Sequence, residues 1–161
     1  MLVRRLSFPL LVLLLTGCSA TASDASAERF SDMAPETLPQ AQALWNAKAP
    51  SAYQVTVTQT CFCPPELRQP LRVSVVDGDV VEVKGLEQPL KQRDQLDNYR
   101  LTIAGVFRFI ETSAARKPHK LEVEYDPSFG FPRRIKYDGH EMIADDEIQY
   151  TLTDFSAGDS D

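Results

Sequence analysis

Histidine and cysteine are scarce in this chain, with two of the first and three of the second among 161 residues. No serine stands in a strand-to-helix nucleophile elbow, so triad hydrolysis has no support. No Cys-x-x-Cys opens a helix, the arrangement that usually lowers a thiol pKa. The acidic stretch Asp145-Asp146-Glu147, even with Asp138, lacks the regular spacing of a calcium loop and reads as a solvated turn. Long apolar runs are also missing: the longest, Leu6 to Leu15, is too short to cross a bilayer. Bases are outnumbered, with 17 Lys and Arg against 23 Asp and Glu, which argues against a nucleic-acid partner because such a surface repels phosphate backbones.

What is present begins with delivery. Arg4 and Arg5 precede the apolar run, which ends in Leu15-Thr16-Gly17-Cys18. A charged start, a short apolar core and small residues before a cut describe a signal peptide over residues 1–17. Leu-Thr-Gly-Cys resembles the lipobox of bacterial lipoproteins. That resemblance implies cleavage before Cys18, lipidation of Cys18 and a membrane anchor made of lipid, each buried methylene contributing about 0.8 kcal/mol. Ser19 in place of an aspartate implies an outer-membrane address facing the periplasm. Loss of residues 1–17 removes two arginines and no acid, leaving 15 basic against 23 acidic side chains, a net charge of −8. Residues 18–35, rich in Ser, Ala, Thr and Asp, read as a flexible tether reaching about 20–25 Å.

A single domain is expected over residues 36–155, followed by an acidic tail over 156–161. A helix is predicted from Pro39 to Lys48, with Ala41, Leu44, Trp45 and the stem of Lys48 on one face and Trp45 in the core. From Ala52 the period becomes two: Tyr53, Val55 and Val57 face inward, and the same parity carries Gln59, Cys61 and Cys63 to that face. Leu71, Val73 and Val75 alternate next, and Asp77-Gly78 predicts a two-residue hairpin into the run Val80 to Val83. Gly85 to Asn98 is a long polar connector of the kind that is often functional. Thr102 caps a second helix with Ile103, Val106, Phe107, Ile110 and Ala114 on its apolar stripe. Three further strands follow, marked by Leu121, Val123 and Tyr125, by Ile135 and Tyr137, and by Ile148, Tyr150 and Leu152. The fold class is α+β: about six antiparallel strands packed as one layer on two helices, in the order αβββαβββ, an order that raises a weak internal duplication.

Cys61 and Cys63 are the candidate disulfide. Residues i and i+2 of an extended strand lie about 6.6 Å apart, at the upper edge of bridge geometry, so bridging requires the strand end to pinch. So short a loop stabilises by only about 1.6 kcal/mol in the chain-entropy model. Three readings stay open: a structural bridge, a redox-active pair, or a soft-metal site still short of one or two ligands. His119 and His140 read as surface residues. Arg133, Arg134 and Lys136 are explained by cross-strand pairing with Glu122 and Glu124.

Trp45, Tyr53, Cys61-Phe62-Cys63, Val73 to Gly78, Phe107 with Ile110, Val123 to Pro127, Gly130-Phe131-Pro132 and Asp145 to Tyr150 together resemble a family of bacterial envelope lipoproteins carried as a domain of unknown function, DUF6174. The resemblance covers about Ala41 to Phe155 and implies no activity and no catalytic residue. The expectation is a non-enzymatic binding or interaction module in the cell envelope, with no cofactor and no metal. Its partners would be the membrane, through the lipid on Cys18, and an envelope protein, peptide or small ligand. The alternative is a thiol redox or metal-handling protein using Cys61 and Cys63.

Overall fold

A computed structural model describes residues 33–91 and 98–158. Cys18, the signal segment before it and most of the tether lie outside the described residues, as does the middle of the polar connector.

The first helix, α1 (Leu38–Lys48), begins one residue before the proline-based expectation. Thr37 is its N-cap: its hydroxyl accepts from the Gln40 N–H at 3.5 Å, and the Gln40 side chain accepts from the Thr37 N–H at 3.2 Å. This reciprocal capping box satisfies two amides that the helix itself leaves unpaired. Strand β1 (Ala52–Thr60) follows, then β2 (Leu71–Val76) and β3 (Asp79–Gly85). The Asp77-Gly78 turn between β2 and β3 has φ of 50° and 87° at its two residues, the left-handed pair that such a hairpin requires. Helix α2 (Ile103–Ala115) is capped by Thr102, whose hydroxyl accepts from the Gly105 N–H at 3.0 Å. Strands β4 (Lys120–Tyr125), β5 (Pro132–Asp138) and β6 (Ile148–Ala157) complete the chain.

The six strands form one antiparallel sheet in the order β3-β2-β1-β6-β5-β4. The order αβββαβββ therefore stands. Each half is a meander, and β6 of the second pairs with β1 of the first. Seen from the helix side, the two meanders progress along the sheet in the same lateral direction while their first strands, β1 and β4, run oppositely. They are thus of opposite hand, and the repeat in element order does not extend to a repeat in three dimensions.

Both helices cover one face. Val55, Val57, Val73, Val75, Ile135, Tyr150 and Leu152 point into that layer from the sheet, and Ala41, Trp45, Ile103, Val106, Phe107 and Ile110 meet them from the helices. Each such aliphatic side chain contributes roughly 1.5–3 kcal/mol by leaving water. Trp45 is a core residue, in edge contact with Tyr53, Phe131 and Phe155 at centroid separations of 5.6, 6.4 and 6.0 Å. On α2 the buried stripe ends in Ser113, with Ala114 exposed. The apolar spacing predicts Ala114 at this place; the position three residues after Ile110 faces the sheet instead, and the fourth rotates past its edge.

β6 continues to Ala157, two residues into the stretch expected as the acidic tail. Asp154 has φ 49° and is the extra residue of a bulge opposite β1, between the pairs Thr56↔Thr153 and Gln54↔Ser156. The bulge resets the alternation, so Phe155 turns inward to stack against Tyr53 and Phe131.

Candidate functional site

The sheet is covered on one side only by the described residues. Its other face is polar across the central strands and toward β4, with Val76 and Val81 exposed toward the β3 edge. In the centre, β1 and β6 pair Thr56 with Thr153, Thr58 with Thr151 and Thr60 with Gln149, all turned away from the helices. Thr56 is buried beneath its neighbour Arg72, whose Nε donates to the threonine hydroxyl at 3.1 Å. Toward the β4 edge, Arg134 and Glu124 lie 3.5 Å apart, Lys136 and Glu122 3.9 Å, and Lys120 and Glu122 3.1 Å. The first two are the cross-strand pairs anticipated for the basic run; the third lies within β4. Arg133 is exposed and lies opposite no acid in the register. The face is a neutral trough of threonine and glutamine flanked by charge-paired strips.

At the end of β1 the chain pinches as the cysteine spacing required. Cys61 and Cys63 are bridged, with their α-carbons 5.3 Å apart. One expectation fails here. The strand stops at Thr60, so its parity does not carry Cys61 and Cys63 onto the core face; both are half-buried in the turn that follows. Bridging withdraws both thiolates from metal ligation. No group of three or more His, Cys, Asp or Glu side chains able to hold a metal occurs among the described residues.

The loops at this end are held by a residue that the pattern of apolar and polar positions does not single out. Gln69 is 2% exposed, and its amide serves four backbone groups at once. Its Nε2 donates to the carbonyls of Glu66 and Gln88 at 3.0 Å each, and its Oε1 accepts from the N–H groups of Glu87 and Gln88 at 2.9 Å each. Gly85 lies directly against this amide: a Cβ there would collide with the Gln88 carbonyl and the Gln69 side chain. The only sequence signal is an amide residue just before Pro70, and that is weak.

The bridge borders a shallow cavity of about 200 Å³ lined by Thr60, Cys61, Phe62, Asp145, Glu147 and Gln149. Thus Asp145 and Glu147, read as a solvated acidic turn, come to lie beside the disulfide loop. His119 and His140 are both exposed, and the ring Nδ1 of His140 accepts from the Met142 N–H at 3.3 Å. Tyr53 is a buried ionisable group tied to a helix start. Burial raises its phenol pKa above the usual value, and the Ile103 N–H, which donates to its oxygen at 3.1 Å, offsets part of that rise.

An open-faced α+β sheet domain with a short clamped loop at one strand end is the class these features define. The chain belongs to the family of unknown function DUF6174, whose model matches residues 37–157. No curated protein and no solved structure matches it.

Proposed function

We propose that this protein is a lipid-anchored module of the bacterial cell envelope that binds a partner and catalyses no reaction, held by Cys18 at an outer membrane and facing the periplasm. The lipobox-like Leu15-Thr16-Gly17-Cys18 supports the anchor. The observation that carries the binding role is the one-sided sheet. Its central strands leave Thr58, Thr60, Gln149, Thr151 and Thr153 without a covering layer among the described residues, while the helix-covered face holds the buried apolar side chains. Hydroxyl and amide groups on a rigid strand pair offer directional hydrogen bonds without needing to rearrange.

Two experiments test this reading. A photo-crosslinking residue at Thr58 or Thr151 in cells should give a defined adduct that the same residue at Arg108, on the exposed side of α2, does not. Equal labelling from both positions would count against a binding face. Cys18→Ser should release an unlipidated, soluble protein, and continued partitioning into detergent would refute the anchor.

A further inference from the structure

Four large apolar side chains stand in solvent at one end of the sheet: Phe62 at 85% exposure, Met142 at 87%, and Leu86 and Ile143 at 50% each. Strand direction gathers them. β1, β3 and β5 end there and β2 and β6 begin there, so the loops after Thr60, Gly85 and Asp138 are neighbours. Singly exposed apolar residues need no explanation, but a row of them on adjacent loops marks an interaction site.

Phe62 is the middle residue of the ring closed by Cys61 and Cys63, so the backbone on both sides of it is fixed before any partner arrives. An aromatic side chain with two torsions on a fixed backbone loses little freedom when it is covered, which is what an interface anchor needs. Beside it, the carboxylates of Asp145 and Glu147 line the cavity. The segment from Asp138 to Glu147 holds five acids and neither lysine nor arginine. On the open sheet face Glu122 and Glu124 have cationic partners; among the described residues Asp145 and Glu147 have none.

We infer that this end of the sheet docks a basic segment of a partner protein in which a lysine or arginine adjoins a large apolar side chain. The apolar group covers Phe62, with Met142 and Ile143 extending the contact, and the cation enters between Asp145 and Glu147. Charge complementarity selects this occupant. A second copy would set carboxylates against carboxylates, and anionic lipid head groups would meet the same repulsion. The inference rests on the binding role proposed above and gives it a place and a partner chemistry.

Selection of a random phage-displayed peptide library against the mature protein in detergent, with its bridge intact, tests it. Selected peptides should carry Lys or Arg next to Phe, Leu, Ile or Trp. A synthesised one should bind about tenfold more weakly to Phe62→Ser, and about tenfold more weakly to the double variant Asp145→Asn with Glu147→Gln. Its affinity for the wild type should fall with added salt. All three changed residues are exposed, so thermal unfolding of the variants should match the wild type. Absence of enrichment, enrichment of acidic peptides, or equal binding to these variants would overturn the inference, as would binding to phosphatidylglycerol vesicles that the peptide does not displace. Loss of binding confined to Thr58→Lys would also overturn it while leaving the binding role on the open face intact.

Discussion

Replacing Gln69 by leucine keeps the volume of a buried side chain but removes four hydrogen bonds in one step. Those bonds, at 2.9–3.0 Å, join the turn after Pro65 to the loop after β3. A neutral hydrogen bond contributes about 0.5–1.5 kcal/mol net, and an unpaired buried group costs about 1–3 kcal/mol. Glu87 and Gln88 are exposed residues, so their backbone groups regain water once the loop loosens, and the cost falls toward the lower end. The expected loss is about 3 kcal/mol, a large share of the roughly 5–15 kcal/mol that holds a domain of this size. Thermal unfolding followed by circular dichroism should show the midpoint falling by about 10 °C. Gln69→Glu provides an internal control. The charged side chain still accepts from the Glu87 and Gln88 amides but turns an oxygen toward the Glu66 and Gln88 carbonyls, so it should be at least as damaging near neutral pH. It should recover in acid, where protonation restores one donor. A Gln69→Leu midpoint within a degree or two of the wild type would refute the clamp, because water would then be replacing all four bonds at no cost.

Tyr53→Phe should cost about 1 kcal/mol, since the Ile103 N–H at the start of α2 loses its acceptor. The raised pKa of Tyr53 means that the folded state holds its proton more tightly than the unfolded chain does. That contribution is complete below the ordinary tyrosine pKa and is lost as pH rises through and above it, so wild-type denaturation midpoints should decline in alkali. Tyr125, raised by burial alone, adds to the decline, and Tyr53→Phe should therefore flatten it only in part. Gly130→Ala should cost about 2 kcal/mol or more, because φ is 81° there and a Cβ would lie 2.5 Å from the Ala41 carbonyl oxygen; urea midpoints measure it, and an unchanged midpoint would mean that α1 can lift off the turn. Cys61→Ser with Cys63→Ser should lower stability by only about 1.6 kcal/mol in the chain-entropy model. A loss several times larger, read from the same urea curves, would show that the bridge holds more than its own turn.

The fold was legible wherever one side chain reports its own environment. Alternation in Tyr53-Val55-Val57 and Leu71-Val73-Val75 marks strands because one face of each is dry, and Asp77-Gly78 marks a hairpin because few other pairs accept two positive φ values. What stayed hidden depends on partners far apart in the chain. Asp154 reads as one more polar residue at the end of the last strand; only β1 alongside makes it a bulge that returns Phe155 to the core. Gln69 reads as an ordinary polar residue before a proline until the loop after Gly85, some 19 positions on, supplies three of its four partners. The cysteines show the same limit from the other side. Their spacing required a pinch, and the pinch is there, but parity could not tell that the strand ends at Thr60 and leaves Phe62 in water. Asp145 and Glu147 have no local reason to be anything but solvated, and β6 pairing Gln149 with Thr60 is what carries them to the disulfide loop. The candidate docking end is therefore a product of strand order. A local pattern specifies which residues face the core, whereas only the pairing of β1 with β6 specifies which loops share a surface.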